Sequence, residues 1–591
     1  MDVPSFFIDG SIYTYGVTLS PPAGRRRLGA SGSTSAGGAP LAGEEEEFAP
    51  SEWGDYFITY DPPLAQRSEE WMRDRAEELK QRVRKMFVFE DGSVAGAVAL
   101  VDTLERLGLD SHFREEITAA ITRIHLVGLE CPGFVGGSDA HDLGVTATRF
   151  RLLRQHGLWV STDVFDRFRD GDGNFNASLS SNIDDPRILL SLYNAAHMAV
   201  PGDVDAVLDN AGVFARRHLE AMARGELRSP AAEQVARALD HPLPRFTGLL
   251  ETMRYVAEYA QEVTHDGTIL ELARLNSNLM RCLHLRELKA LSIWWRDLYD
   301  TVNLRYARDR MVEIYFWSCG MIPEEEFSRA RLMFAKTFGL VSILDDTYDV
   351  HATAEECLSL TQAMQRWDES AVPVLPEYLR VLYIKTLSTF KEFEDLLEPH
   401  EKYRMSYAKK AYQLQAEYYM QEAQWSSDKY RPSFKEHEEL CGKSCGLIML
   451  NLVALMGYGA SATKELFEWA FAIPDVVRAG TQIGRFLNDI SSYKLGKNKK
   501  DLPSGVECYM MEKGVTGEEA VAAIAAMTED RWRTMNKACI EMDRALLPVA
   551  QLVANIARSN EVIYLHGRDG YTFGSHVKDL VTELFLDPIP L

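Results

Sequence analysis

The sequence predicts an all-α protein built from two helical domains, on three observations. Apolar residues recur at three- and four-residue spacing in window after window from Phe48 onward. Sustained alternation of β-branched residues bounded by Asn-Gly or Asp-Gly turns, the mark of strands and hairpins, is not found. The length, 591 residues, exceeds what one hydrophobic core accommodates and suits two.

Taken in order, residues 1–47 carry Pro21-Pro22, the Arg25-Arg26-Arg27 cluster, a Gly/Ser/Ala tract and Glu44 to Glu47, with no helical period. They read as a disordered leader. An arginine cluster among small residues is compatible with a plastid transit peptide, but Asp2, Asp9 and the acidic end favour a cytosolic protein. Residues 48–265 form the first helical domain, with amphipathic windows at Glu69–Val88, Arg187–His197 and Pro230–Asp240. Asp163–Asn174 reads as a loop; its DGDG run lacks the closing glutamate of a calcium loop, so a solvated turn is expected. A break at Thr264–Gly267 precedes a long helical run from Ile269, and residues 266–591 form the second domain. The uncharged run Ser444–Thr463 is nearly long enough to cross a bilayer, but Gly446, Asn451, Gly457 and Gly459 make a buried helix the better reading.

Charge and cysteine usage bound the function. The net charge of −23 disfavours nucleic acid or an anionic membrane as partner. An anionic substrate would therefore need local arginines or metal ions. Eight scattered cysteines without a CxxC pair favour a reducing compartment.

Three polar groups in the second domain point to chemistry. In VSILDDTYDV (341–350), Asp345, Asp346 and Asp349 follow an apolar helical stretch. On a regular helix Asp345 and Asp349 lie on one face about 6 Å apart along the axis. Carboxylates so placed repel unless a cation lies between them, and hard oxygen donors suit Mg²⁺ with waters and substrate phosphates. In GRFLNDISSYKLG (484–496), Asn488 and Ser492 share a face, with Arg485 about one turn earlier. An amide oxygen, a hydroxyl and a guanidinium suit a second cation and the phosphate it carries. Arg308 and Arg310, the latter 35 residues before Asp345, could clamp an oxyanion leaving group. Each group alone has an ordinary surface explanation; together they suggest a Mg²⁺–diphosphate site in a helical bundle.

At these residues the sequence resembles a plant class I terpene synthase, most closely the sesquiterpene type. DDTYD at 345–349 resembles the family's DDxxD motif, RDR at 308–310 its RxR motif, and NDISSYKLG at 488–496 its second metal motif. FAPSEWGDYFITY from residue 48, LLSLYNAAH at 189–197, LSIWWRDL at 291–298, YFW at 315–317 and RDGYT at 568–572 extend the likeness to the C-terminus. The resemblance implies a catalytically silent N-terminal α-barrel-like domain and a catalytic C-terminal bundle. Asp345, Asp346 and Asp349 would bind Mg²⁺ on one side of the mouth, Asn488 and Ser492 on the other, with three ions in all and Mn²⁺ as a substitute. Arg308, Arg310 and Arg485 would hold the diphosphate. Trp317 would line the floor and Tyr571 the wall, with Asp569 and Tyr564 nearby. The implied reaction is ionisation of farnesyl diphosphate by a monomer, giving a sesquiterpene and diphosphate. Metals and arginines stabilise the departing diphosphate, and an aromatic pocket shelters the carbocation. Lys497, Lys499 and Lys500 could close over the diphosphate as a lid or be an ordinary solvated charge run.

The departures from the family pattern are informative. The third ligand position of the second metal motif is Gly496 instead of Glu, which predicts a weaker metal site. No tandem arginine precedes Trp53 by nine or ten residues, which favours a C15 over a C10 substrate; no DxDD motif is present, Asp203–Ala206 being only superficially similar. The alternatives are a plastid enzyme acting on geranyl diphosphate and a helical scaffold protein that has lost activity.

Overall fold

The computed structural model describes residues 48–62, 67–88, 93–130, 139–175, 185–203, 206–225, 227–302, 306–496 and 503–591. The expected leader and the lysines after Gly496 lie outside the described residues. Among the described residues the regular elements are helices, and the only pairing of extended backbone is an isolated bridge between Arg169 and Phe175.

After a single helical turn at Tyr56–Thr59, the described helices ahead of the long central one are α1 (Glu69–Met86), α2 (Val94–Arg106), α3 (Arg114–Glu130), α4 (Asp139–Gln155), α5 (Pro186–Ala196), α6 (Val207–Ala223), α7 (Ala231–Asp240) and α8 (Gly248–Tyr259). The amphipathic windows read from the sequence are α1, α5 and α7 to within a few residues. Local chemistry starts them: the Ser68 hydroxyl accepts from Trp71 N–H ahead of α1, and Asp185 from Arg187 N–H ahead of α5, where Pro186 needs no donor partner. The stretch expected as loop is a 3₁₀ helix, Thr162–Phe168, burying Phe165 and Phe168, followed by a turn that Asp170 closes by accepting from the N–H groups of Asp172 and Asn174.

The break before Ile269 is real. Asp266 accepts from the N–H groups of Thr268 and Ile269 and so opens the 36-residue helix α9 (Gly267–Val302). Its first half, from Ile269 to Leu279, packs with α1, α2 and Tyr255 of α8. Its second half, from Leu285 to Val302, belongs to a different core, that of the C-terminal bundle. Trp53, Phe57, Phe246 and Leu250 also join that second core. The N-terminal segment thus buries its aromatic rings in the C-terminal bundle.

The bundle continues with α10 (Met311–Met321), α11 (Ser328–Asp346), α12 (Ala354–Arg366), α13 (Glu377–Leu396), α14 (Arg404–Ser427), α15 (Phe434–Ser444), α16 (Leu447–Met456), α17 (Lys464–Phe471), α18 (Asp475–Lys494), α19 (Gly505–Lys513), α20 (Gly517–Glu541), α21 (Leu547–Ile563) and α22 (Lys578–Phe585). Capping boxes fix the starts of α12 (Thr353, Glu356), α15 (Ser433, Glu436), α19 (Ser504, Glu507) and α20 (Thr516, Glu519). The uncharged run from Ser444 is the end of α15, the break at 445–446 and the buried α16, ending in a 3₁₀ turn at Gly459–Ser461. The stretch Phe434–Met456 is apolar and long enough to cross a membrane, but most of it is buried inside the protein, as a core helix would be.

One buried ionic cluster ties three bundle helices together. Arg331 of α11 donates through Nε and Nη2 to the Glu287 carboxylate of α9, at 3.0 and 2.8 Å, while Tyr315 of α10 donates its hydroxyl to the same carboxylate at 2.7 Å. The remaining Arg331 donor reaches the carbonyls of Ile322 and Glu324. All the charge buried here is matched, as a buried pair requires.

Candidate active site

A cavity of about 540 Å³ opens at one end of the bundle, within the size range of small-molecule sites. One wall is the end of α11. The acidic motif does not continue as regular helix: Thr347–His351 is a π turn, with Ala352 N–H donating to the Thr347 carbonyl. The wider turn displaces Asp349 from the register expected of a regular helix, so Asp345 and Asp349 are not stacked one ordinary turn apart. Asp345 is 31% exposed on the wall, and Asp349 is exposed at the rim.

Asp346, expected as a metal ligand, is instead turned to Arg308 and buried. Its carboxylate accepts from the Arg308 backbone N–H at 2.8 Å and from Nε at 3.2 Å, and Nη2 lies 2.8 Å from its other oxygen. Burial pushes the Asp346 carboxyl up to about 6, against the pull of the Arg308 charge. Arg308 also donates to Asp345 at 2.6 Å, with its guanidinium 4.9 Å over the Tyr571 ring and 5.5 Å over that of Phe48.

Arg310 corrects the sequence reading more sharply. Its side chain is buried away from the cavity, and every donor goes to a backbone carbonyl: Nε to Tyr571, Nη1 to Asp309, Nη2 to Ala49 and Thr572, at 2.7–3.0 Å. It fastens the Arg568–Phe573 loop to the N-terminal segment, and its donors are taken up by those carbonyls.

The opposite wall is α18. Asn488 is fixed at both ends: its Oδ1 accepts from Arg485 Nη1 at 3.2 Å, and its Nδ2 donates to the Tyr564 hydroxyl at 3.1 Å. Ser492 lies one turn on, buried and lining the cavity. Beside them is Asp489, which the sequence reading did not assign. It is buried, Arg485 and His437 stand only at 3.7 and 3.8 Å, and its Oδ2 makes no hydrogen bond. Glu422 of α14, another residue not foreseen, lines the same side, and burial raises its carboxyl. Both lie far from the motifs' spacing or off the expected helix face, so no short pattern points to them.

The depth of the cavity is aromatic. Trp317, Phe338 and Tyr571 form a contiguous set with ring centroids 5.2–6.0 Å apart, and Tyr571 donates its hydroxyl to Ser342. Tyr564 lines the same space, and burial raises its phenol well above the usual range. Asp569 holds the loop that carries Tyr571: its Oδ1 accepts from the N–H groups of Tyr571 and Thr572 at 3.0 and 2.8 Å. Phe338 was missed because its one-turn relation to Ser342 and Trp317 across two helices is a packing fact.

Among the described residues no three or more His, Cys, Asp or Glu side chains converge on a single metal position. The donors fit Mg²⁺ all the same. They are oxygens on two facing walls, one of them Asp489 Oδ2, which is buried without a hydrogen bond, and this leaves room for the waters and phosphate oxygens that Mg²⁺ keeps. A second, larger cavity of about 670 Å³ lies between the N-terminal helices and the bundle. Its charges are largely paired, as in Arg106–Glu251 and His156–Glu105, and it lacks an aromatic floor.

Fold and site together define a helical, metal-dependent protein that handles an organic diphosphate over an aromatic pocket. The chain belongs to the terpene synthase family: residues 52–239 match the terpene synthase N-terminal domain and residues 296–534 the terpene synthase metal-binding domain. It is 63% identical to a eudesmanediol synthase of Zea mays over 93% of this chain and 97% of that protein. It is 43% identical to a tau-cadinol synthase of the same species over 92% and 98%. Among solved structures, isoprene synthase from grey poplar, in complex with three Mg²⁺ ions and dimethylallyl-S-thiolodiphosphate, superposes with a TM-score of 0.79 at 30% identity, covering 88% of this chain and 98% of that one.

Proposed function

We propose that the protein ionises farnesyl diphosphate and converts the resulting carbocation into a sesquiterpene and diphosphate. The observation that carries this is the pairing of two oxygen-donor walls, Asp345/Asp349 and Asn488/Ser492, above a closed aromatic floor. The sesquiterpene assignment is supported by the relatives at 63% and 43% identity. Asp345, Asp349, Asn488 and Ser492 hold Mg²⁺, with Asp489 close behind them; Mn²⁺ can substitute. When bound, the metal neutralises the charge developing on the leaving diphosphate.

Arg308 and Arg485 take the diphosphate oxygens, each held in place by a carboxylate behind it, Asp346 and Asp489 respectively. Trp317, Phe338 and Tyr571 shield the allylic cation from bulk water and present ring faces to it. Tyr564 positions Asn488 through its hydroxyl. We assign the catalytic machinery to residues 266–591 and the protein to the cytosol as a monomer.

The test is a product assay on the purified chain, supplied separately with farnesyl, geranyl and geranylgeranyl diphosphates, with Mg²⁺ and with EDTA. A Mg²⁺-dependent C15 product is expected, and Asp345→Ala should reduce kcat at least a hundredfold, about 3 kcal/mol of barrier. Turnover of geranyl diphosphate alone would replace the C15 assignment with a C10 one. No volatile product from any substrate would leave the scaffold reading standing.

A further inference from the structure

Asn560 is a polar residue of the cavity that the ionisation scheme does not use. It lies on α21, is 2% exposed and lines the cavity beside Leu447, Leu450 and Trp317. Its Nδ2 is fully enclosed without a hydrogen-bond partner. The amide lies in a slot shaped for it. A Cβ on Gly484 would come within 2.6 Å of Asn560 Nδ2 and 3.0 Å of Leu447, so a larger residue on α18 would press on the amide. The Trp317 indole N–H, on the same cavity, is likewise enclosed and unpartnered. Ser342 and Tyr571, by contrast, satisfy each other.

A buried, unsatisfied amide carries a desolvation penalty, and a leucine would serve a hydrocarbon guest without it. Two unmet groups lining one cavity, on the neighbouring helices α10 and α21, are the conditions under which it holds a water, which needs two to four polar partners. An amide supplies both a donor and an acceptor, and the indole a second donor. A water held there lies in the cavity that Trp317, Phe338 and Tyr571 line.

Building on the sesquiterpene reading, we propose that water is the second substrate of this enzyme. In this scheme Asn560 positions that water, with the Trp317 N–H as its other anchor, and the main product is an alcohol. In the step, a lone pair of the water oxygen forms the C–O bond to the cationic carbon. The proton then released from the oxonium passes to the diphosphate already freed by ionisation, so no oxidant or reductant is needed. Asn560 is a positioning residue: it acts through the water and carries no charge to the cation.

The experiment uses the full chain with Mg²⁺ and farnesyl diphosphate in H₂¹⁸O, with products separated by gas chromatography–mass spectrometry. The native chain is expected to give mainly an alcohol carrying ¹⁸O. N560A and N560L should shift the alcohol-to-hydrocarbon ratio at least tenfold toward hydrocarbon, with KM within about twofold; N560S, which keeps a hydroxyl in the slot, should retain the alcohol. G484A, which presses on the amide from the other helix, should shift the ratio the same way. Circular dichroism and Tm confirm that each variant is folded. A native product that is only hydrocarbon, or an alcohol fraction unchanged in N560A and N560L, overturns the proposal. Turnover of geranyl diphosphate alone would remove the C15 reading, yet the alcohol fraction of the C10 products would still decide the role of Asn560.

Discussion

At the scale of single residues, Glu313 and Gly496 show how a position departs from what its type suggests. Glu313 is 0% exposed on α10, with neither carboxylate oxygen hydrogen-bonded. Burial pushes its carboxyl up to about 7; Arg310 pulls it down, while Asp309 and Glu52 push it further up. The folded protein therefore keeps the proton across a range in which the unfolded chain, near 4.5, has lost it. Stability from this group is complete below about 4.5 and is lost as pH rises through about 7, by up to about 1.4 kcal/mol per unit. Glu313→Gln should thus be close to neutral at pH 5 and more heat-resistant than the native chain by a few degrees at pH 8, read as Tm against pH. A constant difference across that range would refute the assignment.

Gly496 follows α18 with φ +59°, and an added Cβ meets nothing within 4 Å. The helix ends before the position at which the family carries its third ligand, so a side chain there faces open space at a cost of about 1–2 kcal/mol for the left-handed backbone. Gly496→Glu and Gly496→Ala should both lower Tm by a similar amount, while only the glutamate should lower the Mg²⁺ concentration for half-maximal rate. Equal Mg²⁺ curves would show that the carboxylate does not reach the metal. The sequence reveals the missing ligand here, but not the change of backbone hand that accompanies it.

At the scale of elements, the acidic motif and the second metal motif were legible because their residues are neighbours on one chain segment, and the structure puts them on facing walls. The role of Arg310 was not, because whether a guanidinium meets a phosphate or four carbonyls depends on segments 261 and 262 residues away. The same holds for Asp346, whose burial follows from the approach of the Arg308 backbone, and for the π turn, which nothing in DDTYD announces. The Arg310 clamp has a measurable signature. Arg310→Lys keeps the charge but cannot reach three separate backbone segments at once, and each lost charged hydrogen bond is worth about 1.5–3 kcal/mol. It should lower stability by about 2–4 kcal/mol and raise amide hydrogen exchange jointly in residues 48–60 and 568–573. Faster exchange in only one of the two would separate elements that the structure joins.

For the whole molecule, the all-helical character and the break before residue 267 could be read from periodicity and composition, whereas the sharing of one helix between two cores could not. Periodicity reports that α9 has an apolar face, not that the face changes partner between Leu279 and Leu285. Contacts across the molecule add to the coupling: Asn536 donates to the carbonyls of His197 and Ala199 at 3.0 Å, and Arg245 pairs with Glu529 at 2.5 Å. Residues 48–591 should accordingly unfold together. Leu272→Ala, in the N-terminal core, should cost about 2–5 kcal/mol and lower the temperature at which catalytic activity is lost by as much as it lowers the calorimetric Tm. Two calorimetric transitions, only one of them shifted, would contradict this.

The shared helix also dictates where relatives of this chain can be recombined. A crossover at residue 265, the natural seam in the sequence, gives the N-terminal core one foreign wall, Ile269 to Leu279, because that half of α9 travels with the other parent. A crossover between Leu279 and Leu285 keeps both faces of α9 with the parents that shaped them. Chimeras joined inside the helix should therefore fold more often than those joined at the loop before it.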